Sequence, residues 1–432
     1  MSEYLCIKGG RIIDPANDRD EVADLYVKGD KIVGALSESE LKEASIVDAT
    51  GKIVCPGFVD LHTHLREPGD TSKETIGSGT MAAAAGGFTT VVCMPNTKPP
   101  ADNAGTIQLI LDAIERTAVI NVLPTGCLTA EREGEKLAPI GSLEKAGVVA
   151  VTDGGHCIQN TEIMRRAVEY ATMFDLPIFD HCEDASLTDG CVMHEGEWSL
   201  KLGLRGMPRA AEDIMVARNA ILAEQTGARM HLQHIASASA LDVIRWSQKR
   251  IEEKQGARLT AEVTPHHLAF THEHLAGYDT HFKVVPPLRT EDDRQALING
   301  LLDGTIECIA TAHAPHTEIQ KDHEFDYAPF GMNGLETAFS VCYDVLVKAG
   351  HASLNQLIGW MTYKPAAIIN RPKGTLSEGS SADFTLIDLE ATWEVTEEGF
   401  RSLSHNSPWL GQTLPAQVTR TYYRGELVYS LS

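Results

Sequence analysis

The chain has 432 residues, 43% of them hydrophobic, and a formal net charge of -23 at pH 7. This is enough apolar material for a large core. The acidity argues against a nucleic-acid or anionic-membrane surface, because such surfaces need clustered Lys and Arg. No apolar run approaches the roughly 20 residues that a membrane helix needs.

The cysteines and the first residues indicate a reducing compartment. Nine cysteines are scattered without a Cys-x-x-Cys pair, and the first residues do not have the pattern of a secretion signal. We therefore expect a cytoplasmic protein with free thiols. Cys127, Cys157 and Cys182 lie near predicted strand ends, where a thiol could ligate a metal. Packing is the favoured role, since a buried free Cys behaves as a small hydrophobe.

Both ends of the chain are predicted to form short strands separated by glycine-containing turns. The predicted strands are 4–7, 11–13, 24–27, 31–35 and 46–48 at the start, and 383–388, 393–395, 417–423 and 426–429 at the end. Neither terminal segment is large enough to bury much surface alone. We expect residues 1–54 and 372–432 to build one small composite β-sandwich.

The middle of the chain, residues 55–371, alternates strands and helices. The predicted strands are 54–62, 89–94, 121–126, 148–152, 177–181, 230–234, 259–264 and 307–312. The clearest predicted helices are 73–85, 104–117, 161–174, 211–226, 238–255 and 292–302. Eight strands with helices between them predict an α/β fold, a parallel (β/α)8 TIM-type barrel. An open doubly wound sheet is the main alternative.

The polar residues at the strand ends favour the barrel. Nearly every predicted strand ends in a residue able to do chemistry, and in a barrel these ends converge on one mouth. They are His62, His64, Asn96, Asp153, His181, His234, His266 and His313. Two longer segments, 203–208 and 317–331, are predicted as loops over that mouth.

His62 and His64 are the most informative pair. Residues i and i+2 of a strand point to the same face, so two imidazoles can grip one metal ion. Arg66 has the same parity and could hold an anionic group beside that metal. The alternative interpretation is two surface histidines at the start of a loop.

The other strand ends supply what a two-metal site needs, namely terminal ligands for a second ion and a bridging carboxylate. His181 and His234 are the candidates for the second ion, with Asp153 between the ions. His231 competes with His234, but residues three apart lie on opposite strand faces. Asp153 could instead cap a helix, and His181 could be a core histidine. His266 and His267 are interpreted as supporting or structural residues.

Four segments resemble one family. They are 60–69 (DLHTHLREPG), 94–97 (MPNT), 262–268 (EVTPHHL) and 328–331 (APFG) with 334–337 (GLET). They resemble dihydroorotase of the bacterial long type, in the amidohydrolase superfamily, and the likeness covers nearly the whole chain. It implies a barrel with a composite β-sandwich, two zinc ions, and reversible closure of N-carbamoyl-L-aspartate to dihydroorotate in pyrimidine synthesis.

The resemblance also implies roles for individual residues. Those matching the family's metal ligands are His62, His64, Asp153, His181 and His234. Those matching its substrate contacts are His64, Arg66, Asn96, His316, Phe330 and Gly331, with Arg66 and Asn96 on the substrate carboxylate. Hydantoinases and allantoinases look similar but usually bridge their metals with a carboxylated Lys. Here the fourth strand ends in Asp153, and Lys145 precedes that strand.

The chain departs from the family pattern at two positions. The family's eighth strand ends in Thr-Asp-His-Ala-Pro-His, whereas this chain has Ala312 in place of the Asp. That Asp would be a metal ligand and the general acid/base, and a methyl group can do neither job. Loss of a positioned proton carrier typically costs about 10²–10⁴-fold in rate. His313 is expected to point away from the mouth, and Val285 stands where the family usually has Asn.

Several explanations of Ala312 remain open. It could be an engineered substitution that traps substrate, or the mark of a natural homologue with little or no activity. Such a homologue could serve as a structural partner of aspartate transcarbamoylase. Alternatively, Asp322 or Glu324 on the 317–331 loop could partly replace the Asp. The third functional alternative is a hydantoinase-like hydrolase. The chain could also form a homodimer.

Overall fold

The computed structural model describes residues 3–251 and 256–431. Strands from both ends of the chain are hydrogen-bonded into one sheet, in the order β17-β16-β15-β5-β1-β2-β3, with β4 also paired to β1. These strands are β1 (Tyr4–Asp14), β2 (Arg19–Lys28), β3 (Lys31–Val33), β4 (Ser45–Asp48), β5 (Ile53–Pro56), β15 (Phe384–Glu394), β16 (Thr413–Tyr423) and β17 (Glu426–Ser430).

The two ends of the chain also share a hydrophobic core. Ile7, Ile12 and Val54 from the start pack in one cluster with Phe384 and Leu386 from the end. Strands from the two terminal segments thus share one sheet and one hydrophobic core. Several predicted strands prove to be parts of longer ones: 4–7 and 11–13 are both in β1, and 383–388 and 393–395 are largely in β15.

The middle of the chain contains two parallel sheets. One has the order β6-β7-β8 and the other the order β14-β13-β12-β9. Their strands are β6 (Phe58–Thr63), β7 (Phe88–Cys93), β8 (Asn121–Pro124), β9 (Ile178–Asp180), β12 (Arg229–Leu232), β13 (Arg258–Val263) and β14 (Cys308–Ile309). Isolated parallel bridges join Gly126 to Val151, Val151 to Ile178, and Thr63 to His313. The predicted strand 148–152 is thus represented by Val151 alone.

Helices separate these strands along the chain. They are α1 (Glu38–Glu43), α2 (Ile76–Ala85), α3 (Ala104–Thr117), α4 (Ile140–Lys145), α5 (Thr161–Thr172), α6 (Ala185–Thr188), α7 (Glu197–Leu202), α8 (Ala210–Thr226), α9 (Ala238–Ile251), α10 (Pro265–Ala269), α11 (Glu291–Asp303), α12 (Glu318–Lys321), α13 (Ala338–Cys342), α14 (Leu354–Met361) and α15 (Tyr363–Ile368). A π-helical segment, Tyr343–Lys348, follows α13. The end of the predicted helix 238–255 lies outside the described residues.

The loops predicted over the mouth carry some regular structure. The 203–208 segment contains β11 (Gly206–Met207), which pairs with β10 (Met193–His194). The 317–331 segment contains α12. Within the described residues, none of the helices combines the length and the hydropathy needed to cross a bilayer.

The predicted strand 54–62 is wrong in one respect, because the apolar run is two strands that belong to different sheets. β5 pairs with β15 and β1, whereas β6 pairs with β7. Gly57 lies between them, and a Cβ at this position would lie 2.2 Å from the side chain of Thr89. The chain therefore passes from the terminal sheet to β6 at a position where only a glycine fits.

We expect Gly57→Ala to lower the stability by about 2 kcal/mol, because the new methyl group would overlap the buried Thr89 side chain. Gly77→Ala is the matched control. Gly77 lies in α2, where a Cβ would meet Thr117 at an ordinary 3.4 Å, and Ala in a helix is favoured over Gly by about 0.5–1 kcal/mol. Thermal unfolding of the two variants measures the difference; equal midpoints would contradict the close approach at Gly57.

Candidate metal centre

A cavity of about 180 Å³ lies at the carboxyl ends of the parallel strands. It is lined by most of the residues that the sequence singled out. These are His62, His64, Arg66, Asn96, His181, His234, Ala312, His316, Phe330 and Gly331, together with Gly155, His266, Val284, Val285, Ala314 and Met332. Residues more than 260 positions apart in the chain therefore meet at one site.

The first imidazole pair follows β6. The ring centroids of His62 and His64 are 5.3 Å apart. His62 Nδ1 lies 2.9 Å from Glu262 Oε1, and His64 Nδ1 lies 2.8 Å from Asn96 Oδ1. Because both oxygens are acceptors, each Nδ1 carries the proton, and each Nε2 has a lone pair for a cation.

The second imidazole pair is in direct contact. His181 Nδ1 and His234 Nε2 are 3.0 Å apart, and the His234 ring centroid is 5.0 Å from that of His62. Two nitrogens on one tetrahedral ion at 2.0–2.1 Å would be about 3.3 Å apart. Small movements would therefore let this pair share an ion. Burial and the neighbouring His181 and His62 rings hold the pKa of His234 well below its usual value, which favours the neutral ligand form.

Asp153 lies beside this cavity and not among the residues that line it. Its Oδ1 accepts hydrogen bonds from the backbone N–H groups of Leu128 (2.8 Å) and Thr129 (3.0 Å), and the Thr129 hydroxyl donates to Oδ2. Asp153 and His181 both line an adjoining cavity of about 620 Å³. Burial raises the pKa of this carboxyl, and the bonds from Thr129 and Leu128 oppose that effect.

One wall of the cavity carries the cation Arg66 and the neutral ring of His316. Arg66 is enclosed, and burial lowers its pKa to about 10, so it stays charged at neutral pH. Its Nε donates to Pro315 O at 3.3 Å. His316 Nε2 donates to Phe330 O at 2.9 Å. Burial, with Arg66 and Lys321 nearby, lowers the pKa of His316 to about 3, so this ring is neutral.

The backbone at position 312 has a conformation that suits Asp or Asn better than Ala. Ala312 has φ +49°, a left-handed conformation that Asn and Asp adopt more readily than Ala. Among the described residues that line the cavity, none is a carboxylate. Asp322 lines a different cavity. His313 is turned away as expected, with Nδ1 accepting from the backbone N–H of Gly334 and Nε2 3.4 Å from Glu74 Oε2.

The residue that the sequence analysis missed is Glu262. It is fully buried on β13, where Oε1 contacts His62 and Oε2 lies 3.0 Å from His231 Nε2. Burial would raise its pKa, but hydrogen bonds from His231 and His62 outweigh burial and lower it to about 2. Glu262 also belongs to a buried group of three potential metal-ligand side chains. Among the described residues, the ligand atoms of His231, Glu262 and Cys308 lie within 4.8 Å of one another. The sequence did offer one signal for this role, because Glu262 is a carboxyl group within an apolar strand.

The three thiols near strand ends are packed. Cys127 and Cys182 are buried, and Cys157 is half-buried with Sγ 3.5 Å from Asp180 Oδ2. Burial raises the pKa of all three. His266 lines the metal cavity, whereas His267 bonds to Thr264 Oγ1 and Pro286 O.

Comparisons with known proteins identify the family of this chain. A family profile described as "Dihydro-orotase-like" matches residues 51–240. The chain is 46% identical over 424 residues to a dihydroorotase from Pelotomaculum thermopropionicum, covering 98% of each chain. It is 44% identical over 428 residues to one from Endomicrobium trichonymphae, covering 99% of this chain and all of that one.

The fold is shared with a broader class of hydrolases. The L-hydantoinase from Arthrobacter aurescens superposes with a TM-score of 0.86 and 23% identity, covering 99% of this chain and 97% of that one. The superposition shows that the two chains share a fold. By identity over almost its whole length, the chain belongs to the dihydroorotase family.

We expect Glu262→Gln to weaken metal affinity about 10–100-fold, because an amide oxygen cannot accept from His62 and His231 as a carboxylate does. Glu307→Gln is the control. Glu307 is also enclosed near the end of the same sheet, but burial raises its pKa to about 8, so the carboxyl is already neutral and an amide resembles it. Competition with a chromogenic chelator measures the metal affinity of both variants. Equal losses of metal affinity would contradict the role of Glu262 as the acceptor that orients His62.

Proposed function

We propose that this protein is a dihydroorotase that interconverts N-carbamoyl-L-aspartate and dihydroorotate in pyrimidine synthesis. The observation that carries the proposal is the grouping of six imidazoles, four of them proposed metal ligands, and the Arg66 guanidinium around one cavity. Membership of the dihydroorotase family supports the choice of substrate.

The proposed metal ligands are His62, His64, Asp153, His181 and His234, holding two zinc ions. The donor set fits zinc, which prefers imidazole nitrogen and carboxylate oxygen. The 3.0 Å approach of His181 Nδ1 to His234 Nε2 also fits a shared ion. The Asp153 carboxylate would have to leave its bonds to Thr129 to reach them. When bound, the ions supply Lewis-acid chemistry and lower the pKa of a water molecule.

The chain's own residues hold and orient the substrate in this proposal. Arg66 and Asn96 bind the substrate carboxylate, and the charge of Arg66 suits a dianionic acyclic substrate. His64 and His316 add polar contacts, and the backbone of Phe330 and Gly331 faces the ring amide. The Nδ1 atom of His316 is buried and has no hydrogen-bond partner among the described residues, so it remains available to a substrate N–H.

Ala312 limits the rate in this proposal. The proton that leaves the attacking water has no carboxylate to accept it within the cavity lining, and a ligand oxygen is missing as well. Turnover is therefore slow. A second candidate, favoured by Ala312 and Val285, is a non-catalytic partner of aspartate transcarbamoylase; a homodimer is the alternative assembly.

We propose that the two parallel sheets close into a (β/α)8 barrel over residues 55–371, with residues 1–54 and 372–432 as a composite β-sandwich. The isolated bridges at Val151 and between Thr63 and His313 support closure, since they connect both edges of the two sheets. We also propose a cytoplasmic location. The nine free cysteines support it, because a reducing compartment keeps thiols unpaired.

We expect Ala312→Asp to raise dihydroorotate turnover by about 10²–10⁴-fold, because it restores a positioned proton carrier. The left-handed backbone at this position accepts Asp without rearrangement. Ala312→Asn is the control, since it has the same shape and backbone preference but does not carry the proton. The measurement is dihydroorotate hydrolysis by the zinc-loaded parent and both variants.

The same assay separates the alternatives. Equal gains from Asp and Asn would contradict the proton-carrier argument. Hydrolysis of hydantoin without hydrolysis of dihydroorotate would favour a hydantoinase. An inactive Ala312→Asp variant, together with copurification of the parent with a transcarbamoylase, would favour the partner role.

We expect metal removal to abolish the activity of Ala312→Asp and lower its thermal midpoint, because four clustered imidazoles would lose their common ligand. Dialysis against a chelator followed by zinc titration tests this, with zinc content measured by atomic emission. Restoration with two zinc ions per chain is the expected result. Full activity in demonstrably metal-free protein would overturn the two-zinc proposal.

A further inference from the structure

Two buried lysines lie behind the wall of the substrate cavity, and the mechanism above does not use them. Lys283 is 1% exposed and Lys321 is 3% exposed. Lysine is almost never fully buried unless its charge is paired. The bonds of both ammonium groups go to backbone carbonyl oxygens and not to carboxylates.

All four of these carbonyls belong to one short segment, residues 325–331, which we call the APF loop after its Ala328-Pro329-Phe330 sequence. Lys283 Nζ donates to Phe325 O at 2.6 Å and to Asp326 O at 3.1 Å. Lys321 Nζ donates to Pro329 O and Gly331 O, both at 3.0 Å. The APF loop has no helix or strand of its own, so these bonds supply donors that regular secondary structure would otherwise provide. Gly331 O also accepts from Asn406 Nδ2 at 3.2 Å.

The two lysines are linked indirectly, through Thr280 and Gly331. Thr280 Oγ1 donates to Lys321 O at 2.6 Å, and the backbone N–H of Gly331 donates to Lys283 O at 2.8 Å. The Lys283 ammonium also lies 4.7 Å from the centroid of the Phe330 ring. The Lys283 side chain therefore holds the start of the APF loop, and the Lys321 side chain holds its end.

The position of the APF loop matters to the cavity. Phe330 and Gly331 line it, and Phe330 O accepts from His316 Nε2. Gly331 also approaches Ala314 closely, since a Cβ at Gly331 would lie 2.7 Å from that of Ala314. A shift of the loop would therefore move the backbone groups that face the substrate and the ring of His316.

Stability alone does not account for two buried lysines. Desolvating an ammonium ion costs several kcal/mol, and apolar side chains of similar volume would fill this space at lower cost. Each amino group donates two directional hydrogen bonds to these carbonyls, which fix the backbone position more tightly than apolar packing would. This cost is understandable if the exact placement of the loop is required.

We propose that Lys283 and Lys321 are positioning residues that clamp the APF loop in the geometry that presents Phe330 and Gly331 to the substrate. The proposal rests on the proposed function in one respect, that the cavity takes dihydroorotate. The clamp itself does not depend on which substrate binds.

The test uses the full zinc-loaded chain and the variants Lys321→Met and Lys283→Met, with Lys321→Arg as the conservative variant. Lys348→Met is the matched control, because Lys348 is an exposed lysine that pairs with Asp344 in the π-helical segment. Hydrogen exchange read by mass spectrometry gives the local readout. We expect exchange in peptides covering residues 325–331 to quicken about 10-fold or more in the Met variants. Peptides of β16 should not change, and Lys348→Met should match the parent.

The second readout is kinetic and uses Ala312→Asp as the background. Loss of the clamp should raise KM for dihydroorotate about 10-fold and change kcat less, because the loop orients bound substrate and carries no proton. Lys321→Arg should bring KM most of the way back to the background value, since a guanidinium also donates to carbonyl oxygens. A general loss of folding would instead quicken exchange everywhere and lower the amount of active enzyme.

Unchanged exchange at residues 325–331 in both Met variants would overturn the clamp. Faster loop exchange with an unchanged KM would overturn its role in presenting the loop to substrate. If Lys321→Met does not fold, Lys321→Gln gives the same comparison with a polar side chain. If the background enzyme has no activity on dihydroorotate, the proposed function fails, while the exchange experiment still decides the clamp.

Discussion

The site depends on one buried carboxylate, that of Glu262. It lies at the centre of the parallel strands and accepts from a ring nitrogen of His62 on β6 and another of His231 on β12. The backbone N–H of His234 also donates to it at 3.2 Å. One ionised group thus sets the orientation of His62 and the backbone from which His234 projects. Because the group is enclosed, its hydrogen bonds are stronger than they would be in water, and an unpaired partner would be costly.

The opposite wall of the cavity is built by a different principle. There Phe330 and Gly331 lie in an irregular segment, and hydrogen bonds from the Lys283 and Lys321 amino groups replace the hydrogen bonds of a strand. The histidine side of the cavity is held by β-strands, and the APF loop side is held by side chains that bond to its backbone. Both arrangements fix the positions of groups that line a small cavity.

Much of this could be predicted from sequence because it follows local periodicity. His62 and His64 have strand parity, and the alternation of apolar strands and helices indicated the parallel sheets. The break at Gly57 could not be predicted, since the apolar run continues across it and only the neighbouring Thr89 reveals the close approach. The conformation of Asp153 was also beyond sequence reasoning, because its carboxylate bonds to Thr129, a residue 24 positions away in another loop.

The passage of the chain through Gly57 has a consequence for dissection of the protein. β5 takes its hydrogen-bond partner from β15, almost 330 residues later, and leads directly into the strand that ends in His62 and His64. A fragment without residues 372–432 would keep every histidine that lines the cavity but would lose β15, one of the two partners of β5. Removal of the C-terminal segment would therefore loosen the strand that leads to the first imidazole pair. It would also remove Asn406, which accepts from the backbone N–H of His316 and donates to Gly331 O.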